Sequence, residues 1–217
     1  FKKYEDALEC AERLLNIDKN DPETYLFKAQ LLGLLNSKSK ALECYDEVLS
    51  MDMLNGDRLV ICLIKKAKIL FESKEYQKSI NVCNDVLAID GNNLEALYGK
   101  CQGLYGLEEY QKCLDCSNKI LAIDGNDVDG LISAESASLL LKDYSKAEEY
   151  CNKILTIDKN HELALYNKAH FLKGRKKYTE ALKYMNRFIE INPTQLNAHI
   201  ENAKKLRDEL IELIQSK

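Results

Sequence analysis

Between Leu94 and Leu107 the chain reads LEALYGKCQGLYGL, with Leu97, Cys101 and Leu104 at i, i+4 and i+7. That spacing lines one face of an α-helix. From Tyr110 to Ile123 it reads YQKCLDCSNKILAI, and Cys113, Ser117 and Ile120 form a second inward stripe. Glu108 and Glu109 supply a short turn between the two segments, and Asp124-Gly125-Asn126-Asp127 stops the second. The pattern predicts two amphipathic helices. Gly125 is expected to take a left-handed cap conformation, and the Asn or Asp beyond it to cap the next helix.

The pair is one copy of a repeat. NKILAIDGN at Asn118–Asn126 returns as NKILTIDKN at Asn152–Asn160, 34 residues on, and VLAIDGN begins at Val86. Tyr76, Tyr110, Tyr144 and Tyr178 follow one another at steps of 34. The earlier equivalents are Lys38 and Tyr4, and only the step from 38 to 76 is longer. Its four extra residues are expected in a turn around Asn55, Gly56 and Asp57. The period predicts stacked helix pairs: a single array over 1–217, with 1–21 the second helix of a truncated repeat. Full repeats are expected at 22–55, 60–93, 94–127, 128–161 and 162–195, and a capping helix at 196–216. In that last helix Leu196, Ile200, Ala203, Leu206, Leu210 and Leu213 form one stripe, suited to closing an open end. A weak dimer contact through Ile211 and Ile214, on an otherwise monomeric chain, is the other use open to it.

Composition narrows the function. Apolar residues make up 46% and charged residues 30% of 217, with 9 glycines and 2 prolines, which suits a folded helical chain. A net charge of −4 in mixed charges gives no support to a nucleic acid or an anionic membrane as partner. No apolar run approaches a membrane span. The eight cysteines sit inside helical patterns, and equivalent ones lie too far apart for disulfides, so a reduced, cytoplasmic setting is expected.

Candidate chemistry is thin. Cys113 and Cys116 make a CxxC without a second pair, and core packing is the better reading for them, as for Cys10, Cys44, Cys83 and Cys151. His161, His170 and His199 fit no metal or nucleophile pattern. GKCQGLYG, with Gly99, Gly103 and Gly106, lacks the strand and the GK[ST] ending of a phosphate loop. Two readings stay open for these glycines: close helix packing, or room for a ligand backbone. No catalytic set assembles, so no enzyme activity, metal or cofactor is expected.

The 34-residue pattern resembles the tetratricopeptide repeat over essentially the whole chain. Ala29, Ala67, Cys101 and Ala169 match its small residue midway along the first helix, and Glu135 departs from it. Ala7, Ala41, Ser79, Cys113, Ala147 and Ala181 match the small residue of the second helix. Tyr25, Leu63, Leu97, Leu131 and Leu165 match the bulky one. Only Pro193 matches the closing proline, where Lys19, Met53, Gly91, Gly125 and Lys159 stand elsewhere.

The resemblance implies an all-α, right-handed superhelical solenoid whose first helices line a groove that holds a peptide or protein segment. The groove positions would be Phe27, Gln30, Lys65, Lys68, Tyr98, Gln102, Tyr105, Tyr166, Asn167 and His170, with Ser133 and Ser136. A branch of the family clamps chaperone C-terminal carboxylates with asparagines. At that position stand Phe27, Lys65, Gly99, Ser133 and Asn167, so only Asn167 fits and the clamp is not expected. The leading expectation is a non-catalytic scaffold. The alternatives are a regulatory or targeting module of a longer polypeptide, or a fixed structural subunit. Glu135 is expected to face the groove or a lysine, because an unpaired buried carboxylate is costly. Within this sequence the first helix is expected to expose Phe1, Tyr4 and Leu8, and further sequence or a contact is expected to cover them.

Overall fold

The computed structural model describes residues 2–51, 53–192 and 198–216, with the side chains of 198 and 199 excepted. The described residues are helical throughout: α1 (Lys2–Ile17), α2 (Pro22–Leu34), α3 (Lys38–Ser50), α4 (Gly56–Glu72), α5 (Tyr76–Ile89), α6 (Leu94–Gly106), α7 (Tyr110–Ile123), α8 (Val128–Leu140), α9 (Tyr144–Ile157), α10 (Glu162–Gly174), α11 (Tyr178–Ile191) and α12 (Ala198–Gln215). They form two compact units, Phe1–Cys116 and Ser117–Lys217.

Two kinds of joint recur, each with its own chemistry. Within a helix pair, the first helix ends on a residue in the left-handed region: Asn36, Lys74, Glu108, Lys142 and Lys176, all with φ near +60°. The next N–H then reaches back to the carbonyl five residues earlier, from Ser37 to Leu32, Glu75 to Leu70, Glu109 to Leu104, Asp143 to Ser138 and Lys177 to Leu172, at 2.8–2.9 Å. This closes a Schellman turn without glycine. Between pairs the device differs. The carboxylates of Asp18, Asp90, Asp124 and Asp158 accept from the N–H two residues on, at 2.9–3.1 Å. That is an Asx turn, and it makes no demand on the residue inside it. Gly125 is therefore not left-handed, contrary to expectation; Gly56 is the only glycine with positive φ among the described residues. Asn93, Asp127 and His161 then cap the following helix by accepting from its third N–H.

The four extra residues do not make a turn either. Gly56 and Asp57 belong to α4, which has 17 residues where α2, α6, α8 and α10 have 13. The insertion is one additional helical turn.

In the first unit, Ala29, Ala41, Tyr45 and Val48 pack in one cluster and Leu63, Ala67, Cys83 and Val86 in another. In the second, Leu131, Cys151 and Ile154 pack together, and α12 lays Ile200, Ala203, Leu206 and Leu210 against Ala181, Met185 and Phe188. Ile211 and Ile214 are half-buried, and Leu196 lies outside the described residues. Tyr4 is exposed and Leu8 half-buried, while Phe1 lies outside the described residues. Four of the five first helices, all but α8, also send a lysine to the second helix before them. Lys28 meets Glu12 at 3.2 Å, Lys66 meets Asp46 at 2.5 Å, Lys100 meets Asn84 at 2.6 Å and Lys168 meets Asn152 at 2.7 Å.

The α6 glycines face α5. A Cβ at Gly99 would lie 2.9 Å from Cys83 Sγ, at Gly103 2.7 Å from Ile80 Cγ1, and at Gly106 2.9 Å from the Tyr76 ring. Close helix packing therefore accounts for all three. Seven of the eight cysteines are buried as free thiols. Burial pushes Cys62 and Cys83 up to about 11, which makes them poor nucleophiles. Cys10 is exposed, unlike the core residue expected there, because it lies on the outward face of α1.

Candidate functional site

The first unit brings five of the ten groove residues to two adjoining clefts. One, of about 310 Å³, lies among α2, α3 and α4 and takes in Gln30, Lys65 and Lys68. The other, of about 330 Å³, lies among α4, α5 and α6 and takes in Lys68, Tyr98 and Gln102. Lys68 and Glu72 belong to both. The spacing of Lys65 and Lys68 on α4 puts both ammonium groups on the face that the neighbouring first helices flank. Neither makes an ion pair with a described residue, whereas Glu72 is held by Lys38 at 3.4 Å. The surface therefore offers two unpaired cations, two amides and a phenol, a set that suits polar backbone and acidic side chains.

Phe27 and Tyr105 line neither cleft. Phe27 is half-exposed on α2, and Tyr105 meets Tyr110 edge-on with ring centroids 5.7 Å apart.

In the second unit the three α10 residues go different ways. The Tyr166 ring lies between His170 and Phe188, at 4.6 and 5.6 Å, and joins the packing beneath α10. Asn167 donates from Nδ2 to Glu135 Oε1 at 3.1 Å. His170 lies beside a third cleft, of about 430 Å³, among α8, α9 and α10.

Glu135 is fully buried, and its hydrogen-bond partner is Asn167 rather than the lysine or the groove expected from sequence. Its Oε2 and the hydroxyl of Ser138 one turn on find no hydrogen-bond partner among the described residues. Burial pushes the carboxyl up to about 7, against the opposing hydrogen bond from Asn167. A carboxylate tolerates such a place because the surrounding positions are small or polar: Ala134, Ala137, Ser138 and Cys151.

Sequence reading missed a second buried charge. Glu148, nearly closed to solvent, accepts from Lys168 Nζ at 2.8 Å and pairs with Arg175 at 2.6 Å. The signal was available, since Glu148 stands two repeats, 68 residues, after the apolar Ile80. No group of side chains able to hold a metal ion is found among the described residues, and none of their helices is long and apolar enough to cross a membrane.

The model of the tetratricopeptide repeat matches residues 22–52, 136–161 and 163–195. The chain carries tetratricopeptide repeats. Solved structures agree at the level of fold. A tetratricopeptide repeat protein from Parabacteroides merdae is 18% identical, with a TM-score of 0.75 over 89% of this chain and 73% of its own. YrrB, described as a TPR protein with an unusual peptide-binding site, is 19% identical, with a TM-score of 0.68 over 91% of this chain and 99% of its own. PilW, a type IV pilus biogenesis factor, is 15% identical, with a TM-score of 0.71 over 93% and 90%. No curated protein matches the sequence. Tetratricopeptide repeats are in general non-catalytic scaffolds for contacts between proteins.

Proposed function

We propose that this chain is a non-catalytic scaffold whose first unit binds an extended polypeptide segment across α2, α4 and α6. The observation that carries the reading is the pair of adjoining clefts that share Lys68, with Lys65 beside it and both ammonium groups free of ion pairs among the described residues. Gln30 and Gln102 at the two ends provide amides able to pair with a passing backbone. Tyr98 adds a flat apolar body with a polar tip. The peptide-binding site named for YrrB supports the same kind of role here. Buried thiols of raised pKa suit a reducing compartment such as the cytoplasm.

The test is selection of displayed random peptides on the wild-type chain, followed by affinity measurement on a Lys65→Ser/Lys68→Ser/Gln102→Ala variant. All three side chains are exposed, so the fold should be kept. Selected peptides should bind the variant at least tenfold more weakly. Equal affinity for both proteins refutes a site on this surface.

A further inference from the structure

The third cleft exists because residues 68 positions apart pack differently in the two units. In the first unit, Tyr76 lays its ring on Gly106 and sits 5.5 Å from the Phe71 ring, while Ile80 packs onto Gly103. In the second unit Tyr144 and Gly174 are kept, but Glu148 replaces Ile80 and Phe171 replaces Gly103. Phe171 takes space that a hydrogen left open, and Glu148 is drawn to Lys168 and Arg175. The tyrosine does not close the joint: Tyr144 is 59% exposed, and a Cβ on Gly174 would meet nothing within 4 Å. What remains is a cleft of about 430 Å³ walled by Leu139, Tyr144 and Phe171, with the Glu148–Arg175 pair as its polar border.

Two further observations bear on its occupant. Leu140 and Leu141, at the end of α8, are exposed, as is Tyr144 at the start of α9, so three apolar side chains cluster in the chain beside the cleft. Clustered exposed apolar residues mark contact surfaces more often than scattered ones do. On the other side the chain reads Lys173-Gly174-Arg175-Lys176-Lys177. Together with Lys168 this makes five cations, of which Arg175 lines the cleft, while Lys176 and Lys177 line another with Tyr178 and Ile214. The carboxylates paired with them are Glu148, Glu180 and Glu209, and Lys176 pairs with no described residue. An apolar slot with Arg175 in its lining and the exposed Lys176 next in the chain complements an apolar side chain carried between acidic ones.

We propose that this cleft is a second docking site, distinct from the first-unit surface, that takes one bulky apolar side chain flanked by Asp or Glu on a partner polypeptide. The bulky side chain enters between Tyr144 and Phe171, and its acidic neighbours face Arg175 and Lys176.

The probe is a fluorescein-labelled, end-capped peptide with a central Phe between Asp-Glu pairs, read by anisotropy. Its controls carry Ala for the Phe, or Lys for the acids. Gly174→Leu fills the slot, and the helical backbone of Gly174 accepts a side chain. Lys176→Glu removes the free cation at a left-handed position that glutamate already occupies at Glu108. Both variants should melt at or above the wild-type temperature. The expected result is binding of the Phe peptide, weakened at least tenfold by Gly174→Leu and severalfold by Lys176→Glu, with both controls weak. Lys65→Ser/Lys68→Ser should leave it unchanged, which separates this site from the first-unit surface. Absence of binding, binding indifferent to Gly174→Leu, or stronger binding of a single-stranded oligonucleotide or of anionic vesicles at the same residues overturns the proposal.

Discussion

Replacing Glu135 by glutamine should convert a pH-dependent interior into a pH-independent one. Glu135→Gln keeps the shape and leaves an oxygen to accept from Asn167 Nδ2, but it cannot ionise. In the folded chain the carboxyl titrates near 7, pushed up chiefly by burial, against an ordinary 4.5. Below 4.5 both folded and unfolded chains carry the proton, and the site costs nothing extra. Between 4.5 and 7 the unfolded chain releases it first, so stability falls as the pH rises. Above 7 both are ionised and the loss is complete. The gap between 4.5 and 7 corresponds to about 3 kcal/mol. For a chain of this size that is about 6–12 °C in Tm. Thermal unfolding of both proteins followed by circular dichroism from pH 5 to 8 isolates this group, because every other titrating residue is common to the pair. The two should lie close together near pH 5, and the glutamine variant should lead by about 3 kcal/mol at pH 8. Parallel curves, or a gap that closes with rising pH, would refute the argument that burial holds the proton on Glu135.

The helix glycines should respond oppositely to the same substitution. Gly103→Ala drives a Cβ to 2.7 Å from the buried Ile80 and should destabilise by roughly 1–3 kcal/mol, despite the better helix propensity of alanine. Gly174→Ala meets open space and should stabilise by up to about 1 kcal/mol, both changes being read by urea denaturation. Thiol labelling of the native chain should show one fast cysteine, Cys10, and seven slow ones that react only on unfolding. A Cys10→Ser variant that still labels rapidly would contradict the assigned burial.

The fold was legible because a 34-residue period forces every copy to meet the same packing demands. Small residues stand where helices touch, bulky ones at Leu63, Leu97, Leu131 and Leu165, and Asp where one pair ends. What the period could not convey was which atoms make each joint. Gly125 looked like the left-handed residue because glycine tolerates that conformation. The carboxylate of Asp124 does the work there instead, and the left-handed positions fall on Glu108 and Lys142, which carry no such signal. The inserted turn at Gly56 was misread for a similar reason, since Asn-Gly-Asp favours a turn locally while tertiary packing extends α4. The groove residues were chosen by helix phase alone. Phase places Gln30, Lys65, Lys68, Tyr98 and Gln102 around shared clefts, but it does not reveal that Asn167 has a buried carboxylate to serve.

That last point connects the two buried carboxylates. Glu135 on α8 and Glu148 on α9 are both answered from consecutive positions on α10, by Asn167 and Lys168. The equivalents in the first unit are Gly99 and Lys100, and there Lys100 reaches Asn84. Lys168 keeps that same contact with Asn152 while also holding Glu148. The lysine ladder thus existed as a general device for joining pairs, and in the second unit it is also used to neutralise a buried charge. Once Glu148 is held there, Ile80's packing role has no counterpart, and the slot beside Tyr144 and Gly174 is the space left over. Truncating Lys168 should therefore do more than remove one ion pair. It leaves Glu148 buried with Arg175 alone, and breaking a buried pair in this way typically costs about 3–5 kcal/mol. The equivalent truncation at Lys100 removes a hydrogen bond to an exposed amide and should cost about 1 kcal/mol or less. Equal losses for Lys168→Met and Lys100→Met, measured side by side in urea, would mean that Glu148 does not depend on this lysine for its place in the interior.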